Sequence, residues 1–392
     1  MTKRASLFAY LTVILIASTL RPPVASVGPL LSEVTSNLGL NPAQLGIVTS
    51  VPVLCFGFGA FAGPWVVRKL GLHHALFWIL VSLLLATALR GVDGFITLLV
   101  CSIVVGLAIA VANVILPTVI RSDYPNLIAP LTVTYTMTMA VSASLAATIA
   151  VPLSLDLGGW RVSMAVWAVV ILAAVLVWAP HLRGREPEVP QTQDVAKAQR
   201  SAVSRSPITW WIVAFFGIQS AGFYVVLNWL PSVLSDYGLS SSAAGSILGL
   251  ATIVGVPVGV LLGPLYRRLK SLSWLAVGLS TFTLSGYLIV WLAPSIATAG
   301  SIIIGLGQAS TFPVSLYLIG TKAQSEGMTT RLSALAQGWG YLVAAVATFG
   351  AGFLRASSGG WALPLGVIVA LTVIQLVSGY FVGRPGTIAN PS

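Results

Sequence analysis

Acidic side chains are scarce: nine aspartates and glutamates stand among 392 residues, and charged residues of both signs make up only 7% of the chain. A soluble protein carries about 25% charge, so a water-facing surface is excluded for most of this chain and lipid is its solvent. Cysteine is limited to Cys55 and Cys101, both inside apolar runs, which leaves no basis for a disulfide framework. His73, His74 and His181 show no metal-ligand spacing, the adjacent pair reading as a cytoplasmic loop and the third as the opening of a linker. No Gly-x-x-x-x-Gly-Lys-Ser/Thr loop is present to couple ATP to work. The chain therefore reads as neither an enzyme nor a cofactor carrier.

What is abundant is apolar sequence, 57% of all residues. A helix needs about 20 mostly apolar residues to cross the hydrocarbon core. Runs of that length predict twelve transmembrane helices, at roughly 7–31, 44–67, 72–90, 95–120, 130–152 and 160–180, then 208–232, 241–266, 272–292, 296–320, 330–353 and 361–382. The first run follows Lys3 and Arg4 as a signal peptide would, but it leads through Leu20, Arg21, Pro22 and Pro23 into further apolar sequence, so it reads as an uncleaved span.

The net charge of +11 would point to nucleic acid in a soluble protein. Here it marks a membrane face. Of the 20 basic residues, Arg21 lies inside a span and Arg90, Arg161 and Arg355 fall on one side; the other sixteen, from Lys3 to Arg384, fall opposite. The positive-inside rule then puts both termini in the cytoplasm. No nucleic-acid partner is expected, and the bilayer is the constant partner.

The longest polar stretch, His181 to Pro207, reads as a flexible cytoplasmic linker. It separates an N-terminal six-helix half, 1–182, from a C-terminal half, 208–392, with the linker proper at 183–207. The halves repeat each other. Gly59-Ala-Phe-Ala-Gly-Pro64 answers Gly259-Val-Leu-Leu-Gly-Pro264, Gly106 and Pro117 answer Gly305 and Pro313, and Gly159-Trp160 answers Gly360-Trp361, all at offsets near 200. An even number of spans per repeat gives both halves one orientation, the layout of the major facilitator fold. In that fold substrate binds near the bilayer midplane between the halves, and access alternates by rocking.

Only one charge falls deep within a span, Arg21. An arginine at that depth costs roughly 2.5–3.5 kcal/mol on insertion scales. It stays protonated, and its planar fork suits a carboxylate-like or other planar oxyanion. No carboxylate lies at that level in the sequence. Arg21 therefore reads as the anchor of an anionic or strongly dipolar substrate. A compatible second role is to satisfy the carbonyls of Ser18 and Thr19, left without donors by Pro22 and Pro23. Gln219, Gln308 and Gln337 sit near the same level, Asn113 and Tyr135 in the cytoplasmic halves of the fourth and fifth spans, and Tyr224, Asn228 and Trp229 in the outer half of the seventh. Taken singly each reads as an interhelical hydrogen bond; as a group they line a path. Trp339 reads as packing. No intramembrane carboxylate or histidine stands out as a proton relay, unless Glu33 is drawn inward. Uniport, anion exchange with a counter-ion and co-movement of a proton with substrate all stay open.

Leu20-Arg21-Pro22 with Ser26-Val-Gly-Pro-Leu-Leu31 behind it resembles the cyanate and nitroimidazole transporter family of the major facilitator superfamily. So do Asn113-Val-Ile-Leu-Pro117, Gly217-Ile-Gln-Ser220 with Tyr224 and Trp229-Leu-Pro231, Gly305-Leu-Gly-Gln308 with Phe312-Pro313, and Leu332-Ser-Ala-Leu-Ala-Gln337-Gly-Trp-Gly-Tyr341. The resemblance implies a monomeric secondary or facilitative carrier of small, flat solutes in a bacterial inner membrane. Within the same fold a polyspecific drug exporter is the alternative, and a non-transporting receptor the remote one. One departure stands out. The superfamily carries an aspartate before the basic residues of the loop after its second span, where this chain has Trp65-Val66-Val67 before Arg68 and Lys69.

Overall fold

A computed structural model describes residues 3–40, 42–92, 94–182 and 193–389. The first ten linker residues, with Arg183 and Arg185 of the basic set, and Asp93 lie outside the described residues. Helices account for almost everything else, and a single isolated bridge pairs Ala323 with Ile388.

Ten helical segments among the described residues are long and apolar enough to cross a membrane. The remaining two positions of the predicted order, second and eighth, are filled by Pro42–Leu70 and by the consecutive helices Ser241–Ile253 and Val256–Arg268. Leu155, Phe349 and Trp274 are 80%, 77% and 75% exposed, which is a surface for hydrocarbon and not for water.

The first span is broken. Lys3–Thr19 ends where Pro22 and Pro23 can no longer donate, the short helix Pro22–Ala25 follows, and Val27–Leu38 completes the crossing. Arg21 stands at the break. Carbonyls around the break find side-chain donors: Ser18 Oγ donates to Leu15 O and Thr19 Oγ1 to Ile16 O, each at 2.7 Å, and Ser26 Oγ donates to Pro22 O at 2.8 Å.

The chain forms two compact units, one of most residues up to Ala196 and one of Lys197 onward together with Ile128–Val133. In the first unit the second span packs on the fourth, and the third packs on the fourth and sixth. In the second unit the seventh packs on the eleventh, and the ninth on the tenth and twelfth. The polar connection carries a helix of its own, Gln193–Arg205, to which Thr209 Oγ1 and Trp210 Nε1 donate at Val203 O and Ser204 O. This part of the linker is therefore ordered, contrary to its reading as flexible, because the seventh span's first turn finds carbonyl acceptors there.

Repeat-related glycines mark two of the tightest crossings. A Cβ on Gly106 would lie 2.7 Å from that of Cys55 on the second span, and one on Gly305 would lie 2.1 Å from Ala251 O on the eighth. Backbone cannot yield as a side chain can. Gly305→Ala is expected to destabilise by about 1–3 kcal/mol through overpacking, seen as a lower melting temperature in detergent. Gly278→Ala, where a Cβ meets nothing within 4 Å, leaves the melting temperature unchanged or slightly raised.

Candidate solute-binding site

The second unit joins several buried polar side chains in one hydrogen-bonded chain. In the second unit Gln219 Nε2 donates to Gln308 Oε1 at 3.2 Å, Gln308 Nε2 donates to the Tyr287 hydroxyl at 3.3 Å, and Tyr287 Oη donates to Gly222 O at 3.1 Å. Ser220 Oγ closes on Gln219 Oε1 at 3.4 Å. The donors all run in one direction, so the chain of amides and phenol has one consistent orientation across the seventh, ninth and tenth spans. Gly222 makes room for it, since a Cβ there would sit 2.4 Å from Gln308 Nε2. Buried amides in such a chain are held to one geometry, because any member turned away would be left unsatisfied.

Other predicted positions make separate contacts, some within their own helices and some between helices. Gln337 Nε2 donates one turn back to Ser333 Oγ at 2.8 Å, and Asn228 Nδ2 donates to Tyr224 O at 2.7 Å. Tyr224 meets Tyr341 edge-on at 6.3 Å between ring centroids. Trp229 donates to Thr348 O at 2.9 Å, and its ring lies where a Cβ on Gly352 would be. It is packing between the seventh and eleventh spans. Trp339 is 45% exposed. In the first unit Tyr135 Oη donates to Asn113 Oδ1 at 3.1 Å, with both side chains buried. Arg21 is half-buried at the helix break.

A second arginine is fully enclosed. Arg90, read from sequence as an outer-face residue, is 1% exposed and donates through Nη1 to Pro23 O and through Nη2 to Ser102 Oγ at 3.1 Å. A carbonyl-satisfying role at the broken first span is thus filled by Arg90 at Pro23. The sequence signal was its place among the few basic residues on the outer side. Arg355 pairs with Asp236 at 2.6 Å and lies over Trp361 at 5.0 Å, and Arg161 lies over the ring of its chain neighbour Trp160 at 4.9 Å.

Glu33 is committed to the fold. Its carboxylate accepts from Ser154 Oγ and from the main-chain N–H of Trp160 at 3.0 Å, which joins the end of the first span to the fifth and to the start of the sixth. The second unit repeats the clamp. Asp236, ending the seventh span, accepts from Arg355 on the eleventh and from Trp361 Nε1 at 2.8 Å before the twelfth.

The reading of the histidine pair needs correcting. His73 sits in the first turn of Leu72–Leu89, not in a loop, and is 6% exposed. Its Nε2 lies 3.0 Å from the Asp123 carboxylate that ends the fourth span. Stacked rings continue from it, His73 on Trp178 at 5.7 Å, Trp178 on His181 at 4.3 Å and His181 on Phe8 at 5.4 Å. A polar contact between the third and fourth spans therefore stands near the stretch that lacks the superfamily's aspartate.

Removing one member of the amide chain strands its neighbours. Gln308→Leu is expected to lower stability by about 1–3 kcal/mol, the usual cost of a buried unsatisfied group, measured as a fall in melting temperature. An unchanged melting temperature would show that Gln219 and Tyr287 find other partners.

Comparison with known proteins agrees with this architecture. The Major Facilitator Superfamily model matches residues 7–348. An uncharacterized transporter, YycB, of Bacillus subtilis is 30% identical over 375 residues, 95% of this chain and 92% of that one. The 2-nitroimidazole transporter of Escherichia coli is 30% identical over 372 residues, 95% and 94% of the two chains, and its cyanate transport protein CynX is 25% identical over 93% and 96%. Among solved structures, the proton:xylose symporter XylE superposes with a TM-score of 0.82 over 100% of this chain and 99% of that one at 13% identity. The E. coli fucose:proton symporter FucP gives 0.73 at 14% identity over 97% and 99%. With spans in the expected order and a family match over most of its length, the chain is a multi-pass membrane transporter that belongs to the Major Facilitator Superfamily.

Proposed function

We propose that this transporter carries a small anionic or planar polar solute by alternating access, with Arg21 as its electrostatic anchor and Gln219, Gln308 and Gln337 as orienting groups. The observation that carries the reading is the contrast between two arginines. Arg90 is sealed and hydrogen-bonded to main chain and hydroxyl, whereas Arg21, on a span, keeps part of its side chain accessible. A guanidinium accessible to hydrocarbon costs roughly 2.5–3.5 kcal/mol or more, so that accessible part belongs on a water-filled path. A cation there attracts a compact anion or the negative end of a flat dipole. Relatives named for 2-nitroimidazole and cyanate transport support the same solute class. Asn113, Tyr135, Tyr224 and Asn228 shape the polar lining in this reading.

The test is uptake into proteoliposomes of cyanate, nitrate, small carboxylates and 2-nitroimidazole at several pH values, native protein against Arg21→Gln. A charge-assisted hydrogen bond is worth about 1.5–3 kcal/mol, so uptake of the true class at low concentration is expected to fall about 10- to 100-fold. The pH profile of the native protein shows whether a proton moves with the solute. Uptake indifferent to the substitution for every solute would return Arg21 to a purely structural role.

A further inference from the structure

Arg90 closes the third span, and every part of its side chain is enclosed. It reaches across to the first span and holds the carbonyl of Pro23, two residues beyond Arg21. Its other terminal nitrogen is tied to Ser102, whose hydroxyl is itself fixed on Leu98 O at 2.6 Å. Arg90 thus braces the third and fourth spans against the short helix Pro22–Ala25, on either side of which the first span is interrupted.

The second unit has the same brace in other atoms. Tyr287, on the ninth span, donates to the carbonyl of Gly222 on the seventh at 3.1 Å. Gly222 stands 199 positions after Pro23, Tyr287 197 after Arg90, and Gln219 198 after Arg21. In both units a buried side chain from the third span of the repeat grips a main-chain oxygen two or three residues beyond the group assigned to substrate.

We propose that Arg90 is a positioning residue for solute binding, which fixes the main chain at the first-span break and so the direction in which Arg21 is presented, while Tyr287, against the unbroken seventh span, holds Gln219 through Gln308. This rests on Arg21 being the anchor. A broken helix has freedom that a continuous one lacks, because the hydrogen bonds across the interruption are missing. Two tethers on one guanidinium, to Pro23 O and to a hydroxyl already held, remove that freedom without touching the solute.

Uptake kinetics of cyanate, nitrate and 2-nitroimidazole in proteoliposomes are compared for native protein, Arg21→Gln, Arg90→Gln, Arg90→Lys and the Arg21→Gln/Arg90→Gln double variant. For the solute that depends on Arg21, Arg90→Gln is expected to raise KM about 10-fold, within the range that small misplacements of a binding group produce, and to leave the maximal rate within about 2- to 3-fold of native. Because Arg90 acts through Arg21, the double variant is expected to be no worse than Arg21→Gln alone, whereas independent contributions would multiply. Arg90→Lys keeps a cationic donor and recovers part of the loss. If Arg90→Gln does not reach the membrane folded, Ser102→Ala, which frees only one tether, gives the same non-additivity with a smaller shift. Multiplicative losses, or a lower maximal rate at unchanged KM, would overturn the proposal. Uptake that depends on Arg21 but ignores Arg90→Gln removes this inference alone; uptake indifferent to Arg21→Gln removes the anchor reading and this one with it.

Discussion

In hydrocarbon there is no water to complete a main-chain hydrogen bond, so every carbonyl and amide a helix leaves open needs a partner from the protein itself. Several polar contacts in this molecule reach main-chain groups. Ser18, Thr19 and Ser26 donate to carbonyls of their own span around the Pro22–Pro23 break, and Arg90 reaches in from the third span for Pro23. Tyr287 supplies Gly222, and Glu33 accepts the open N–H at the start of the sixth span. Other polar side chains, such as Gln219, Gln308 and Asn113, lie inside continuous helices and pair with one another or with hydroxyls.

This changes how the charges are weighed. An arginine in a membrane protein is often taken as functional because its burial is unfavourable, yet Arg90 shows a fully enclosed guanidinium committed to main chain and hydroxyl. What separates it from Arg21 is its complete enclosure. The acids divide in the same way. Glu33, Asp123 and Asp236 each hold helix ends or adjoining spans together, which draws three of the nine carboxylates into the architecture.

The fold was legible because apolar run length and the positive-inside bias report directly on the bilayer, and because landmarks such as Gly106 and Gly305 recur at one spacing and occupy equivalent crossings. Interruptions were harder to read. The first span's break follows from two adjacent prolines, and the eighth span's division near Val254 and Gly255 from a glycine and Pro257 in the first turn that follows. Within the site, the polar residues could be named from their presence in apolar sequence, while their partners could not. Nothing local to Gln219 says that it faces Gln308, 89 positions away, or that Tyr287 completes the chain. Arg90 and His73 were misplaced because both stand next to predicted span boundaries, where a shift of one or two residues decides between loop and helix. Side-chain burial at a boundary depends on neighbours that no single run of sequence contains.

The carboxylate clamp at the helix ends bears on how such a molecule comes to have two similar halves. Glu33 and Asp236 occupy matching places, and so do Ser154 and Arg355, and Trp160 and Trp361, yet the acid receives a hydroxyl and a main-chain N–H in one unit and a guanidinium and an indole in the other. A carboxylate accepts from any of these with little regard to what carries the proton. With the acceptor held constant and its donors interchangeable, a duplicated ancestor can drift far in sequence while the ends of its helices stay fastened together.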